Sequence, residues 1–271
     1  MGCVAFVASA LIRSLRLAGV LLLAPVVVPA QAVETGFLDR TVTVGGAQYR
    51  YQVYVPANYS TEQAWPVILY LHGVGERGND GLRQTLIGLP AAIRTAAARY
   101  PAIVVMPQVP PDSNWIGAPG DAAIAALDRT LGELRTDSAR VYLTGLSMGA
   151  NGAWNLAYRF PERFAALVAV CGFVSSASPA VPGSRPAVPV DSGDAFATLA
   201  RRLGTLPVWI AHGEIDAVVP VTESRRAAEA LRGAGGNVRY VEYPGIGHGV
   251  WEPTYASPQL VEWLFAQRRS R

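Results

Sequence analysis

Gly145-Leu146-Ser147-Met148-Gly149 sets one serine between two glycines, directly after the apolar run Arg140–Thr144 and before a stretch of helical period. A serine on so tight a strand-to-helix turn presents its hydroxyl clear of the backbone, and the glycines let strand and helix approach without a Cβ clash. The pattern reads Ser147 as a nucleophile. A hydroxyl attacks only when a base takes its proton, so a histidine is required. The chain has three, His72, His212 and His248, each followed by glycine and each at or just past the end of an apolar run. His248, in the loop after the run that ends at Tyr243, is read as the base, which is the chain order of nucleophile, acid and base that the resemblance given below implies. His72 and His212 are read as strand-end histidines bonded to backbone. A three-histidine metal site is the competing reading, but no pair has ligand spacing and no carboxylate cluster accompanies them.

Asp216 lies between nucleophile and base, four residues after His212 in a loop that follows the run Pro207–Ala211. As the acid it would hold the His248 ring and stabilise the imidazolium. Asp191, Asp194 and Glu214 are alternatives, and Asp216 could also simply cap a turn before Pro220. Charge developing on a carbonyl oxygen needs fixed donors, and the Met148 N–H at a helix start is one. The second is assigned to Val74 N–H in His72-Gly73-Val74-Gly75, with Gly75 as neighbour, because the glycines let backbone come close to a substrate. Glu76 and Arg77 are read as an ion pair bracing that loop. Trp115 and Trp251 are candidate walls of a substrate pocket, where an aromatic face suits an acyl or aryl group, with packing in the core as the alternative for each. Trp154 is read as packing.

These residues need elements to hold them. Arg40–Val55 alternates apolar and polar residues around Gly45-Gly46, the pattern of a hairpin at a sheet edge. Beyond it, short apolar runs recur at Val67–Leu71, Ile103–Met106, Arg140–Thr144, Ala165–Val170, Pro207–Ala211 and Val238–Tyr243, as strands buried on both faces should. Helix candidates fall between and after them, at Pro90–Arg99, Asp121–Glu133, Ala150–Arg159, Asp194–Leu203, Thr222–Ala234 and Pro258–Gln267. Alternation of this kind implies an α/β fold with a mostly parallel, doubly wound sheet, and function collects at the carboxyl ends of its strands. The Ser, Pro and Ala-rich stretch Val174–Gly193 is an excursion, either a small cap or a loop.

Of 271 residues, 51% are hydrophobic and 16% charged, which excludes a disordered chain and suits one domain. All 23 basic residues are arginine; two lie in the first 32 residues, so the rest carries 21 Arg against 20 acids, a net charge of +1. No basic patch points to nucleic acid. Residues 1–32 read as a secretory signal: basic residues to Arg16, an apolar run Leu17–Val28, then Ala30-Gln31-Ala32 as a small-x-small cleavage site. Residues 33–271 are then the single mature domain, secreted or periplasmic and without a stable membrane anchor. Cys3 leaves with the signal and Cys171 stays alone, so packing rather than a disulfide stabilises the domain.

The segments LHGVGERGND, VVMPQVPPDSNW, VYLTGLSMGANGAWNLAYRFPERFAALVAVCG, HGEIDAVVP and YPGIGHGVWEPTYASPQLVEWL resemble the small serine esterases of the α/β-hydrolase fold. The resemblance is to the bacterial group labelled predicted peptidases or phospholipase/carboxylesterase-like, related to feruloyl and acetylxylan esterases and polyhydroxybutyrate depolymerases. It covers about Tyr51 to Arg268. It implies an α/β-hydrolase fold with little or no cap, the triad Ser147, Asp216 and His248, oxyanion donors Val74 and Met148, and hydrolysis of carboxylic esters without cofactor or metal. The implied partner is a small-molecule or polymer ester. Asn151 stands where such sequences often have Gly-Tyr after Gly149, and Gly249-Val250-Trp251 follows His248 where Asp-Ser-Trp is usual, so substrate preference does not carry over. A peptidase or acyltransferase on the same triad, or a non-catalytic binding protein on the fold, are the rival readings.

Overall fold

The computed structural model describes residues 1–2, 33–175, 184–189 and 193–269. The expected signal, Cys3, Asp191 and part of the Val174–Gly193 excursion lie outside these residues. From Val33 onward the chain packs as one compact unit.

Its first two strands, β1 (Gly36–Val44) and β2 (Ala47–Val55), form the expected hairpin. Gly45 and Gly46 turn it with φ of +58° and +81°, the left-handed pair that a two-residue turn needs to match the strand twist. The remaining strands are β3 (Trp65–Leu71), β4 (Ile103–Pro107), β5 (Thr136–Leu146), β6 (Ala166–Val170), β7 (Val208–Gly213) and β8 (Val238–Tyr243). They join the hairpin in an eight-stranded sheet of order β1-β2-β4-β3-β5-β6-β7-β8. β2 runs antiparallel to both β1 and β4, and from β4 to β8 every pairing is parallel.

The helices are α1 (Leu89–Thr95), α2 (Ala118–Glu133), α3 (Met148–Arg159), α4 (Ala195–Leu203), α5 (Thr222–Gly233), α6 (Trp251–Ala256) and α7 (Pro258–Ala266). Both faces of the sheet are covered. Val67, Leu69 and Leu71 of β3 point into the core shared with α2 to α5, while Ile68 and Tyr70 point into the one shared with α1, α6 and α7. All seven residues of β3 are therefore buried, and its continuous apolar run is the signature of a strand covered on both sides.

Several bounds shift from the sequence reading. α2 begins three residues earlier than Asp121, because Pro119 suits the first helical turn, where its missing N–H costs nothing. β5 extends back to Thr136, and the stretch Pro90–Arg99 divides into α1 and a short 3-10 turn at Ala97–Arg99. α6 goes beyond the sequence reading: it is six residues long, with Pro253 inside it, too short for a period to show.

Within the sheet, the chain leaves β3 for β4 on one side and returns to β5 on the other. The carboxyl ends of β3 and β5 thus flank the switch point, where open α/β sheets bind ligands.

Candidate active site

Ser147 is the residue between β5 and α3, with φ +53° and ψ −120°, and Cys171 at the end of adjacent β6 is the only other described non-glycine residue at positive φ. Such a conformation costs about 1–3 kcal/mol and persists only where its surroundings over-determine it. Here the Ser147 N–H donates to Val170 O at 2.8 Å, and its carbonyl accepts from Ala150 N–H and Asn151 N–H. Gly149 lies against β3 so closely that a Cβ there would fall 2.0 Å from Leu71 O, and one on Gly145 would fall 2.3 Å from Gly149 O.

His248 reaches this turn from the loop after β8. Its Nε2 is 2.9 Å from Ser147 Oγ and its Nδ1 is 2.7 Å from Asp216 Oδ2. Asp216 follows β7 and its side chain is wholly buried. Oδ1 accepts from Val218 N–H at 2.8 Å and Val219 N–H at 2.9 Å, so the turn-cap reading and the acid reading of Asp216 describe two oxygens of one carboxylate. Burial alone would raise its pKa, but hydrogen bonds from His212, His248 and the Val219 and Val218 N–H groups outweigh that and hold it well below the usual carboxylate range. Asp216 is ionised at neutral pH and can orient and stabilise an imidazolium without taking its proton.

The two loops are laced together. Glu214 N–H donates to Tyr243 O and Ile215 N–H to Ile246 O, and Glu214 Oε2 accepts from Gly245 N–H. Glu214 is thereby spent on the loop, and Asp194 caps α4 by accepting from Phe196 N–H. Neither alternative acid reaches His248.

Met148 opens α3, so its N–H has no acceptor within the helix. Val74 opens a 3-10 turn, Val74–Glu76, after β3. The loop is close to Ser147: a Cβ on Gly73 would lie 3.7 Å from Ser147 Cβ. Glu76 and Arg77 turn to different partners. The acid that acts on Arg77 is Asp112, and Arg77 Nη2 lies 3.1 Å from Met148 Sδ. Burial raises the Glu76 carboxyl against backbone hydrogen bonds from Gly73 and from Glu76 itself.

The two tryptophans separate. Trp115 is wholly buried, its ring 5.0 Å edge-on to His72 and its Nε1–H donating to His72 O. It supports the loop from beneath and cannot wall a pocket, which corrects the substrate-binding reading. Trp251 is half-buried at the start of α6, with its ring edge-on to His248 at 5.5 Å. Trp154 is core. Asn151 ties α3 to Phe173, just before the excursion, and to Arg185 within it, its Nδ2 donating to Phe173 O and Arg185 O.

His72 bonds to backbone as expected. Its Nδ1–H donates to Gly73 O at 2.6 Å, and Nε2 accepts from Val109 N–H at 3.0 Å. Protonation would displace that N–H. Burial pushes the imidazole down from the ordinary 6.5 to about 4, with Arg77 adding to the effect and the Gly73 bond opposing it. Between these values the unfolded chain binds a proton that the folded chain does not, so stability is fully present above about pH 6.5 and falls as pH drops toward 4. The expected slope is about 1.4 kcal/mol per pH unit within that window. Urea unfolding at pH 7, 6 and 5 checks it, with His72→Asn expected to flatten the curve.

The profile of the Esterase PHB depolymerase family matches residues 49–237, well over half of the chain. The crystal structure of a thermostable esterase superposes with a TM-score of 0.72 at 32% identity, covering 86% of this chain and 63% of that one. The chain thus spans less than two thirds of that esterase. A ferulic acid esterase structure superposes with a TM-score of 0.62 at 20% identity over 84% of this chain and 97% of its own, a likeness of fold. Acyl-protein thioesterase 1 of Gibberella zeae is 45% identical over 42 residues, 16% of this chain and 18% of that protein. The chain belongs to the Esterase PHB depolymerase family.

Proposed function

We propose that this chain is an exported serine hydrolase that cleaves carboxylic esters through an acyl-enzyme. The observation that carries the reading is the unbroken hydrogen-bonded series Ser147 Oγ, His248 Nε2, His248 Nδ1, Asp216 Oδ2 on a strand-to-helix turn at positive φ. Family membership supports ester chemistry over peptide cleavage.

In this mechanism Ser147 Oγ attacks the ester carbonyl while His248 Nε2 takes its proton. The Met148 and Val74 N–H groups stabilise the oxyanion of the tetrahedral intermediate. His248 then gives the proton to the departing alcohol, leaving an acyl group on Ser147. Water attacks that ester with the same base, and the acid and Ser147 are released. Trp251, against His248, is proposed to border the substrate.

The test is a panel of p-nitrophenyl esters from acetyl to palmitoyl, with methyl ferulate and a peptide substrate, alongside fluorophosphonate labelling mapped to its residue. Turnover of esters with labelling at Ser147 is expected, and the chain-length profile sizes the pocket. Faster turnover of the peptide, or acyl transfer to an added alcohol in place of water, would replace ester hydrolysis while keeping the triad. Failure to label Ser147 would remove the triad and favour a binding role.

Export rests on the order of basic residues, apolar run and Ala30-Gln31-Ala32. Terminal sequencing of protein recovered from the periplasm or medium of an expressing bacterium is expected to begin at Val33. Recovery only from the cytoplasm, with Met1 or Gly2 first, overturns it.

A further inference from the structure

We propose that His212 is a positioning residue for the acid of the triad, holding Asp216 from the side away from His248, with its own tautomer set by Ser224. The proposal rests on the triad reading above. His212 lies near the end of β7, four residues before Asp216, and its side chain is wholly buried. Nε2 lies 3.0 Å from Val219 O and 3.1 Å from Asp216 Oδ2, and Nδ1 lies 2.7 Å from Ser224 Oγ on α5.

A carbonyl and a carboxylate can only accept, so Nε2 carries the hydrogen. In the neutral ring Nδ1 is then the lone-pair nitrogen, and the Ser224 hydroxyl donates to it. The opposite tautomer would set a nitrogen lone pair against two oxygens. The one Nε2–H of His212 is therefore shared between Val219 O and Asp216 Oδ2, and Oδ2 also receives Nδ1–H from His248, while Oδ1 receives two backbone N–H groups. Asp216 sits on a loop, where positions are held less well than on regular elements. His212 and Ser224 connect it to a strand and a helix. Without them Oδ2 keeps one donor, and the carboxylate can turn about its last torsion and take the His248 ring with it.

Other titratable groups face this relay. Glu242 of β8 is paired across from His212 and is tied to Arg225 of α5 and to Tyr240, and Asp216 adds to the burial that pushes up the thiol of Cys171 at the end of β6. None of these donates a hydrogen bond to the carboxylate.

The experiment compares wild type with His212→Leu, His212→Gln and Ser224→Ala in steady-state kinetics on one ester, with the low-field proton NMR signal of the His248–Asp216 hydrogen bond as second readout. His212→Leu is expected to lower kcat by about 10- to 100-fold with KM nearly unchanged, the scale of losing an orienting partner. The low-field signal should broaden or vanish. His212→Gln keeps an amide N–H toward Asp216 and should recover most of the rate and the signal. Wild-type kcat in His212→Leu, or a folded His212→Gln without recovery, overturns the proposal. If His212→Leu does not fold, Ser224→Ala decides: a several-fold fall in kcat at a nearly unchanged Tm supports the relay, and an unchanged kcat overturns it. Fluorophosphonate labelling of wild-type Ser147 keeps the two questions apart, since its absence defeats the triad reading whatever the His212 variants do.

Discussion

Ser147→Ala is expected to lower kcat for p-nitrophenyl esters by at least about 10⁴-fold, with KM little changed and the fold intact. The substitution removes one oxygen, Oγ, the atom on which the proposed acyl-enzyme would form. His248 Nε2 loses its partner at 2.9 Å, but Asp216 still holds the ring through Nδ1. The residual rate would come from the Met148 and Val74 N–H groups acting on direct attack by water. Stability should stay within about 1 kcal/mol, because the chain keeps the same left-handed conformation at residue 147 and loses no buried backbone hydrogen bond. Initial rates and a thermal melt on the same preparation check both halves. Hydrolysis at the wild-type rate would show that Ser147 is not the nucleophile.

Gly149→Ala is expected to be the most damaging small substitution in the domain. Its Cβ would fall 2.0 Å from Leu71 O and 2.6 Å from His72 O, inside any permitted contact and against backbone that cannot rotate away. Relief requires α3 to lift from the end of β3, which separates Met148 N–H from the loop of Val74 and moves Ser147 away from His248. A loss of about 3–5 kcal/mol is expected, the range reached only when a core is forced apart, so that the variant folds poorly. Any folded fraction should be inactive. Gly132→Ala near the end of α2 is the control, since its Cβ meets nothing within 4 Å; it should gain up to about 1 kcal/mol from helix propensity. Urea midpoints of the two variants, measured together, separate crowding from glycine loss in general.

Both expectations depend on how far the chain could be read before folding. The inner strands were legible because a strand buried on both faces must be apolar throughout: the ends of β3, β4, β6 and β7 differ by at most two residues between sequence and structure. β8, an edge strand that is only partly buried, has the same limits in both. The hairpin was legible from Gly45-Gly46. α6 was not, because six residues around a proline carry no helical period. Trp115 stayed open between pocket wall and core packing for a related reason. An aromatic residue in a polar loop reads the same whether it faces a substrate or a neighbour, and only the packing of its ring on His72 decides.

His212 shows the same limit from another side. Its backbone partner, Val219 O, agrees with the sequence reading of a strand-end histidine. Nothing in the spacing His212-Gly213-Glu214-Ile215-Asp216 says that the ring turns back onto the carboxylate, because a loop of that length can place the two side chains together or apart.

Sequence by itself determined which groups could do chemistry and the order in which they come: a serine on a tight turn, then an aspartate, then a histidine, each just past the end of a strand, in an alternating α/β chain. These are local properties, carried by residue type and period. Tertiary structure alone decided which groups meet. Ser147 and His248 are 101 residues apart, and their 2.9 Å contact exists because β5, β6, β7 and β8 lie side by side with their carboxyl ends at one edge of the sheet. The same stacking brought His212 and Ser224 behind Asp216 and buried Trp115 beneath the loop of Val74. Contacts of that range depend on register between strands and on the volume of every side chain between them, which no single stretch of sequence specifies.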